Sequence, residues 1–486
     1  MTSDSALGFT DLVPPRHAEV AIVGAGPTGL TLAAELALRG TEAVVLEQLS
    51  ARQPTSRSLV LHARTLEYLD MRGLAESAVL AGHRFSTYPL GSARSSVRLS
   101  GLPTRFPFAL SLPQNRTEAM LERHASVLGA RVIRRARVIA LSSDAEQVRL
   151  TLDVNGLRRE MTCSWLVGCD GSHSTVRRAA EIAFPCRRYP DWVISADVEL
   201  RAPLSEPWSR FSADGMVIAL PWGDSRGRFI IYDYRNPGSV HELTEEGLRK
   251  TLLRTAGRDF GVRKSLSMSR YRCEQGHAAT YRQGRVLLAG DAAHVHPPTG
   301  GQGLNTGVAD ALNLGWKLST AIADTEAEHL LDSYNAERSR AVSRILRWTD
   351  ALLKFNTMST VLGRAARRGL LFAAPLPFLQ RRMAMTLSGL DVTYRTQEDA
   401  GPVGDRVPDI PVFFAGRPQR LYEVLRRGRP VHLSRSPANR PMHGAVHAFP
   451  LLAAEQLLLY GDILVRPDGY IADLSASRQL GRCDAQ

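Results

Sequence analysis

Residues 18 to 47 constrain the fold of this chain more than any other stretch. Ala18 to Val23 is an apolar, β-rich run, and the turn Val23-Gly24-Ala25-Gly26-Pro27-Thr28-Gly29 follows it directly. A helix is expected from Pro27 to about Arg39, with Gly40 placed to end it. Ala43 to Leu46 then reads as a second strand, ended by Glu47 and Gln48. Strand, helix and strand in this order make a βαβ unit and predict a parallel sheet. Within the turn, Gly24 permits the tight bend, Gly26 lets the backbone approach a pyrophosphate, and Gly29 lets the helix pack close to the sheet. The start of the helix offers unpaired N–H groups to phosphates. Glu47 stands at the spacing of a carboxylate that accepts ribose hydroxyls. A tight turn without ligand would use the same glycines, so the motif needs company.

The rest of the chain narrows the class. At 486 residues it is long enough for two to four domains. No segment reaches the 18 uninterrupted apolar residues of a membrane span. Met1 to His17 lacks a basic start followed by an apolar core, so no signal peptide is expected and a cytoplasmic location follows. The formal charge is +13, which invites a nucleic-acid reading. All but four of the 61 basic residues are arginine, however, and they are scattered without aromatic interleaving. That pattern fits GC-rich coding better than phosphate recognition, and neither a nucleic-acid nor a membrane partner is expected. Some arginines could still attract an anionic nucleotide. The five cysteines, Cys163, Cys169, Cys186, Cys273 and Cys483, form no CxxC and no ligand spacing with histidine, so neither zinc nor a redox dithiol is expected.

Helices are expected at His62 to Met71, Arg116 to Leu128 and Leu330 to Phe355. From about Asp191 to Tyr234 the pattern changes to short alternating strands, such as Met216–Leu220 and Arg228–Tyr234, and predicts an inserted antiparallel sheet. At Arg285 the buried strand, glycine turn and long helix return. Asp399 to Pro411, rich in Gly, Pro and Asp, reads as a linker, and a small α/β module follows.

Two further motifs lie at strand ends. Cys169-Asp170-Gly171-Ser172-His173-Ser174-Thr175-Val176-Arg177 follows the apolar strand Trp165 to Val167. Asp170 there either contacts a polar ligand or caps the next helix. Arg285 begins a strand that runs into Gly290-Asp291-Ala-Ala-His294 and then Pro297-Pro298-Thr299-Gly300-Gly301-Gln302-Gly303-Leu304-Asn305. Glycines let a backbone approach a flat ring, prolines stiffen the approach, and a helix starting near Gly303 aims its positive end at developing negative charge.

Together the three motifs resemble those of the class A flavin monooxygenases built like para-hydroxybenzoate hydroxylase. The branch is that of the aromatic-polyketide tailoring hydroxylases and rifampicin monooxygenases. The resemblance covers the whole chain. It implies an α/β FAD-binding domain with a parallel, Rossmann-like sheet (1–80, 105–186 and 275–398). It adds an inserted antiparallel substrate domain (81–104 and 187–274) and a thioredoxin-like C-terminal domain (399–486). It assigns the second motif, Asp170 and Gly171, to FAD and the nicotinamide cofactor, and Asp291 to the ribitol chain. It puts the loop from Pro298 to Asn305 under the pyrimidine end of the flavin. Arg57, His62 and Arg64 match a segment beside the cofactor, and Gln114 matches a glutamine that contacts FAD. Arg64 and Arg116 could equally be surface or capping residues. The implied reaction consumes NADPH or NADH and O2, passes through a flavin C4a-hydroperoxide and hydroxylates an aromatic small molecule. It requires no catalytic acid, base or nucleophile from the protein.

The substrate pocket is expected between the flavin and the inserted sheet. Met216, Ile218, Leu220, Trp222, Phe229, Ile231 and Pro297 are its expected lining, with Phe211, Tyr232 and Pro298 as further candidates. Only alternate strand residues face one side, so about half of the strand positions must be ordinary packing. Arg226 and Arg228 read as a turn and a strand start, which leaves no arginine at a core position within the strands. A small aromatic acid would need such a buried cation, so a large, neutral or weakly phenolic polycyclic substrate is favoured. The C-terminal module lacks CxxC and should be redox-inert. After Tyr470 and Ile471 it departs from the family with Ala472-Asp473-Leu474, so its last strand and helix are expected to be altered or frayed. Baeyer–Villiger oxygenation, oxidative antibiotic inactivation and non-catalytic FAD binding or drug sequestration stay open. Both a monomer and a homodimer are compatible with the sequence. No WxWxIP halogenase motif occurs; Trp222 stands in Leu220-Pro221-Trp222-Gly223.

Overall fold

The first strand, His17–Val23, lies between Ala43–Glu47 on one side and Leu157–Gly168 on the other, parallel to both. A computed structural model describes residues 13–55, 58–90, 95–236, 238, 243–399, 401–434, 444–451 and 461–474. Arg57 and Cys483 lie outside them. The crossover helix runs Pro27–Ala37. It closes as expected at Gly40, whose φ is +79°, with Gly40 N–H donating to Ala37 O and Thr41 N–H to Leu36 O. This is the left-handed C-terminal stop that glycine supplies.

Val286–Leu288 and Arg131–Arg134 extend the parallel order on either side, and antiparallel strands complete an eight-stranded mixed sheet. The helices Pro27–Ala37 and Gly303–Ala323 pack against each other through Thr28. A Cβ on Gly307 would come within 2.2 Å of the Thr28 Oγ1, so only glycine allows this approach.

A second, six-stranded antiparallel sheet contains Trp208–Phe211, Gly215–Gly223, Arg226–Asp233, Cys186–Leu200, Val262–His277 and His294–Val295. The last of these strands belongs to the third motif. Pairing of His294 with His277 therefore ties the inserted sheet to the glycine loop.

Alternation divides this sheet's residues between two cores. Met216, Ile218, Leu220 and Tyr232 join Leu59, Val60, Leu353 and Leu387 on the side of the glycine loop. Phe229 and Ile231 point the other way, against Leu248 and Leu252 of the helix Glu245–Ala256. These two residues are therefore not pocket lining, because the register pairs Met216 with Tyr232 and Ile218 with Ile230. Tyr232, already a candidate, stands on the inner face together with Ile230, which was not expected there.

Arg228 also departs from expectation. It lies within the strand Arg226–Asp233, is 3% exposed, and donates from Nε and Nη2 to Asp197 at 2.6 and 2.8 Å. Its parity with Ile230 and Tyr232 puts this ion pair on the inner face.

The C-terminal module forms a third sheet in the order Arg417–Arg420, Pro411–Phe414, Val446–Pro450, Val431–Leu433, Ile463–Val465, Ile471–Leu474. The strand Ile471–Leu474 is not frayed: Ile471 and Leu474 are buried and it pairs with Ile463–Val465, though across a register shift between Leu464 and Val465, and the helix expected after it lies outside the described residues. The stretch read as a linker is packed too: Gly404 N–H donates to Ile471 O and Val407 N–H to Gly469 O.

Tyr68, Met71, Val308 and Leu312 share one apolar core with this module. Buried carboxylates pin it further. Asp70, fully enclosed, accepts from Arg420, Arg426 and Arg105. Glu67 accepts from Arg64 and Arg406. Removing a buried anion strands its partners. Asp70→Ala should cost about 2–3 kcal/mol, below the full penalty because the three arginines reach water. Urea denaturation checks this, and an unchanged midpoint would show that the module is held by its apolar contacts alone.

Candidate functional site

The three motifs meet because three parallel strands end in register. Val23 pairs with Gly168, and Gly168 with Leu288. Beyond the strand ends the row continues: Gly24 N–H donates to Leu46 O, Cys169 N–H to Val23 O and Ala289 N–H to Gly168 O. Gly24 holds φ at +105°, and a Cβ there would sit 2.5 Å from Cys169 O. Its small size is therefore what allows the first two motifs to touch. A Cβ on Gly29 would lie 2.0 Å from Gly24 O, which explains the third glycine.

The expected contact atoms converge above this row. Gly26 caps the Pro27–Ala37 helix with no side-chain hydrogen bond, and nothing lies within 4 Å of where its Cβ would stand. Glu47 points back at the turn, accepting from Ala25 N–H at 2.8 Å. Gln48 is exposed just beyond it. Asp170 does cap a helix, through Oδ2 to Thr175 and Val176 N–H, yet its buried Oδ1 has no partner among the described residues. Gly171, at φ +81°, also faces open space. Asp291 is exposed, and its Oδ1 lies 3.8 Å from the Cβ position of Gly303. Gly290 donates its N–H to Asp310. An uncapped helix start, an enclosed carboxylate oxygen without a partner, and glycines opening on space fit a dinucleotide with polar ribityl and ribose groups.

The glycine loop is clamped from several sides. Gly300 and Gly301 have φ of +75° and +64°. His62 Nε2 donates to Gly300 O at 2.7 Å, and His62 N–H to Asn305 Oδ1. Asn305 Nδ2 reaches Val60 O and Gly301 O, while Gln302 Nε2 donates to Leu387 O. Leu304, in the first turn of the helix Gly303–Ala323, is half-buried, Pro297 is buried and Pro298 half-buried. Gln114 accepts from Ser58 N–H at 3.0 Å, holding the segment beside Arg57. Arg64 is the exception: its guanidinium turns away to Glu67 and to Asp468 O in the C-terminal module, and lies over the rings of Tyr68 and Tyr470. Arg116 bonds Ala81 O at the surface.

Sequence reasoning missed a buried chain behind the loop. His296 lies 3.0 Å from His294, whose Nε2 donates to Asp310 at 2.6 Å. Arg338 Nε donates to the other Asp310 oxygen, and Arg338 Nη1 to Tyr394 Oη. Burial would raise the Asp310 carboxyl, but His294 and Arg338 outweigh it and hold it at about 2. A carboxylate and a guanidinium on otherwise apolar helix faces were the available signal.

Comparison with known proteins identifies the family. Residues 17–349 match the family model described as FAD binding domain. An uncharacterized aromatic compound monooxygenase of Bacillus subtilis is 39% identical, over 93% of each chain. Anhydrotetracycline monooxygenase of Streptomyces rimosus is 37% identical, over 93% of this chain and 94% of its own. The solved structure of an anhydrotetracycline hydroxylase from Streptomyces rimosus superposes with TM-score 0.84 at 35% identity, covering 95% and 96% of the two chains. The chain belongs to the FAD-dependent aromatic monooxygenase family. FAD is its cofactor, with NAD(P)H and O2 as the usual partners of such enzymes.

Two expectations test the loop. A β-branched side chain at φ +64° is strained by about 1–3 kcal/mol. Gly301→Val should therefore lower turnover more than tenfold with unchanged circular dichroism, and normal turnover would place the loop away from the flavin. The second concerns acid. Burial pushes the His62 imidazole down to about 4 and that of His296 to about 3. The unfolded chain then binds more protons between those values and about 6.5. Stability is thus complete above pH 6.5 and falls as pH drops toward 4. Thermal melts from pH 8 to pH 5 should show this loss, and His62→Gln should flatten the slope.

Proposed function

We propose that the chain hydroxylates a large, neutral or weakly phenolic polycyclic aromatic molecule of the polyketide type, consuming NAD(P)H and O2. Bound FAD would supply the activated oxygen, and the protein supplies orientation and a dry cavity. Gly24, Gly26, Pro27, Thr28 and Gly29 would receive the diphosphate, Glu47 and Gln48 the ribose, and Asp170, Gly171, Gly290 and Asp291 the ribityl chain. Pro298 and the loop from Gly300 through Gln302, Gly303 and Leu304 to Asn305 would lie against the ring. Arg57 and Gln114 would border it. Arg64, committed to Glu67 and the C-terminal module, is left out of this set.

The observation that carries the substrate class is the inner face of the inserted sheet. It presents Met216, Ile218, Leu220, Trp222, Ile230 and Tyr232, and its one internal arginine is matched by a carboxylate. Arg228 does face inward, which would favour an acid if it stood alone. Bound to Asp197 in a bidentate pair, it leaves the face neutral, and a benzoate would have to compete with that carboxylate. Apolar contact and stacking are what the remaining surface offers. Trp222 Nε1, buried and without a partner among the described residues, adds a donor for a carbonyl or phenol oxygen. The tetracycline-type names of the relatives agree with this class.

The C-terminal module is proposed to be thioredoxin-like and redox-inert. Its strand order Val446–Pro450, Val431–Leu433, Ile463–Val465, Ile471–Leu474, with the first two parallel, supports that reading, as does the absence of CxxC.

NAD(P)H oxidation by the FAD-loaded enzyme should be stimulated by tetracyclic and angular aromatic compounds and not by benzoates. The product should be one oxygen atom heavier and retain its ring skeleton. Coupled hydroxylation of a benzoate with no response to polycyclic compounds would overturn the substrate class. Ring expansion would favour Baeyer–Villiger oxygenation, and no oxidation with any aromatic compound would favour sequestration.

A further inference from the structure

Two consecutive helices, Val361–Ala373 and Pro377–Ser388, carry apolar side chains outward. On the first, Val361, Leu362, Leu370 and Phe372 are 76%, 81%, 56% and 90% exposed. Leu376 and Phe378, at 47% and 66%, continue the patch across the connecting turn. At about 100° per residue, Leu362, Ala365, Ala366, Gly369 and Phe372 share one side of the helix, and Arg364 and Arg367 the opposite one. The inner side is the polar one. Arg367 is buried, lies 4.0 Å over the Phe211 ring and donates to Met358 O. Ordinary surface helices have the reverse polarity. A contiguous outward apolar face of this kind marks an interaction site.

The charge around the patch says what covers it. Arg368, Arg381 and Arg382 are exposed beside it. From residue 351 to residue 390 the chain contains no aspartate or glutamate. A second copy docked by two-fold symmetry would bring a second set of these arginines into the same interface, and this stretch offers no carboxylate to offset them. An anionic bilayer surface satisfies both parts: the apolar side chains enter the headgroup–acyl boundary and the arginines meet lipid phosphates. Among the described residues no helix is long and apolar enough to cross a membrane, so the helices would lie in the interface. We propose that the surface formed by residues 361–382 is a peripheral docking site for anionic phospholipid membranes. The proposal is independent of the substrate class. It runs against the expectation of no membrane partner, which weighed only spanning segments. The second helix is tied to the rest of the chain beside the strand Val97–Arg98, since Gln380 Nε2 donates to Ser96 O and its Oε1 accepts from Arg98 N–H.

The test is co-sedimentation of the full FAD-loaded chain with vesicles of phosphatidylglycerol and phosphatidylcholine, against vesicles of phosphatidylcholine alone. The enzyme should sediment with the anionic vesicles and be released by high salt. Phe372→Ser with Phe378→Ser should weaken partitioning roughly tenfold or more per phenylalanine. Arg381→Gln with Arg382→Gln should weaken it about fivefold per arginine. All these side chains are exposed, so flavin absorbance and circular dichroism should stay unchanged. No sedimentation with either vesicle, or equal sedimentation with both, would overturn the proposal. So would a lipid-free dimer in sedimentation velocity that the phenylalanine variant dissociates, which would assign the face to a second copy.

Discussion

The arrangement depends on one constraint, the in-register parallel pairing of Leu46, Val23, Gly168 and Leu288 at the carboxyl ends of four neighbouring strands. Side chains and N–H groups just past such a row point into the crevice above the sheet, where open α/β folds bind ligands. Glu47, the glycine turn, Asp170 and Asp291 are far apart in sequence, and this row alone brings them together. Backbone hydrogen bonds continue one residue beyond the strands and fix the spacing. The glycines are the steric condition: any larger residue at Gly24 or Gly29 would push the turn off its neighbour.

A second layer of constraint lies behind the glycine loop. Two consecutive positive-φ glycines have little intrinsic preference, so the loop's shape must come from its surroundings. His62, Asn305 and Gln302 supply it through hydrogen bonds to carbonyls on three different segments. Further down, Asp310 ties Gly290 N–H to His294 and Arg338, and Arg338 continues to Tyr394. The Tyr394 ring meets that of Tyr470 of the C-terminal module at a tilt of 39°, with ring centroids 4.3 Å apart. The module thus reaches the loop through a buried ring contact and the polar chain behind it, and its position in the chain gives no hint of that. Buried charges of this kind are tolerated only because each has an opposite partner at hydrogen-bond distance.

The inserted sheet shows how far pattern reading extends. Its existence and antiparallel character were legible, because short alternating strands between Pro and Gly have few other solutions. Which alternate set faced the site was not, since a shift of one residue exchanges the two faces and neither face is polar here. Phe229 and Ile231 look the same as Ile218 and Leu220 in the sequence; they differ only in that a helix covers one face and the glycine loop the other. Arg228 was misread for a related reason. A charged residue near a turn is usually solvated, and only the cross-strand placement of Asp197 reveals that it is buried and paired.

What the sequence determined by itself was local: the βαβ unit, its helix stop at Gly40, the three glycine-bearing strand ends and the flavin class they resemble. These follow from short-range sterics and hydrogen bonding, which a few adjacent residues decide. Tertiary structure decided everything that depends on pairing between distant segments. It turned Arg64 toward Asp468, enclosed Asp310 between His294 and Arg338, neutralised Arg228 with Asp197, and left Leu362, Phe372 and Phe378 facing outward. The physical reason is that a side chain's charge and apolar area are written in the sequence, but the side it faces and the partner it meets are set only when the elements pack.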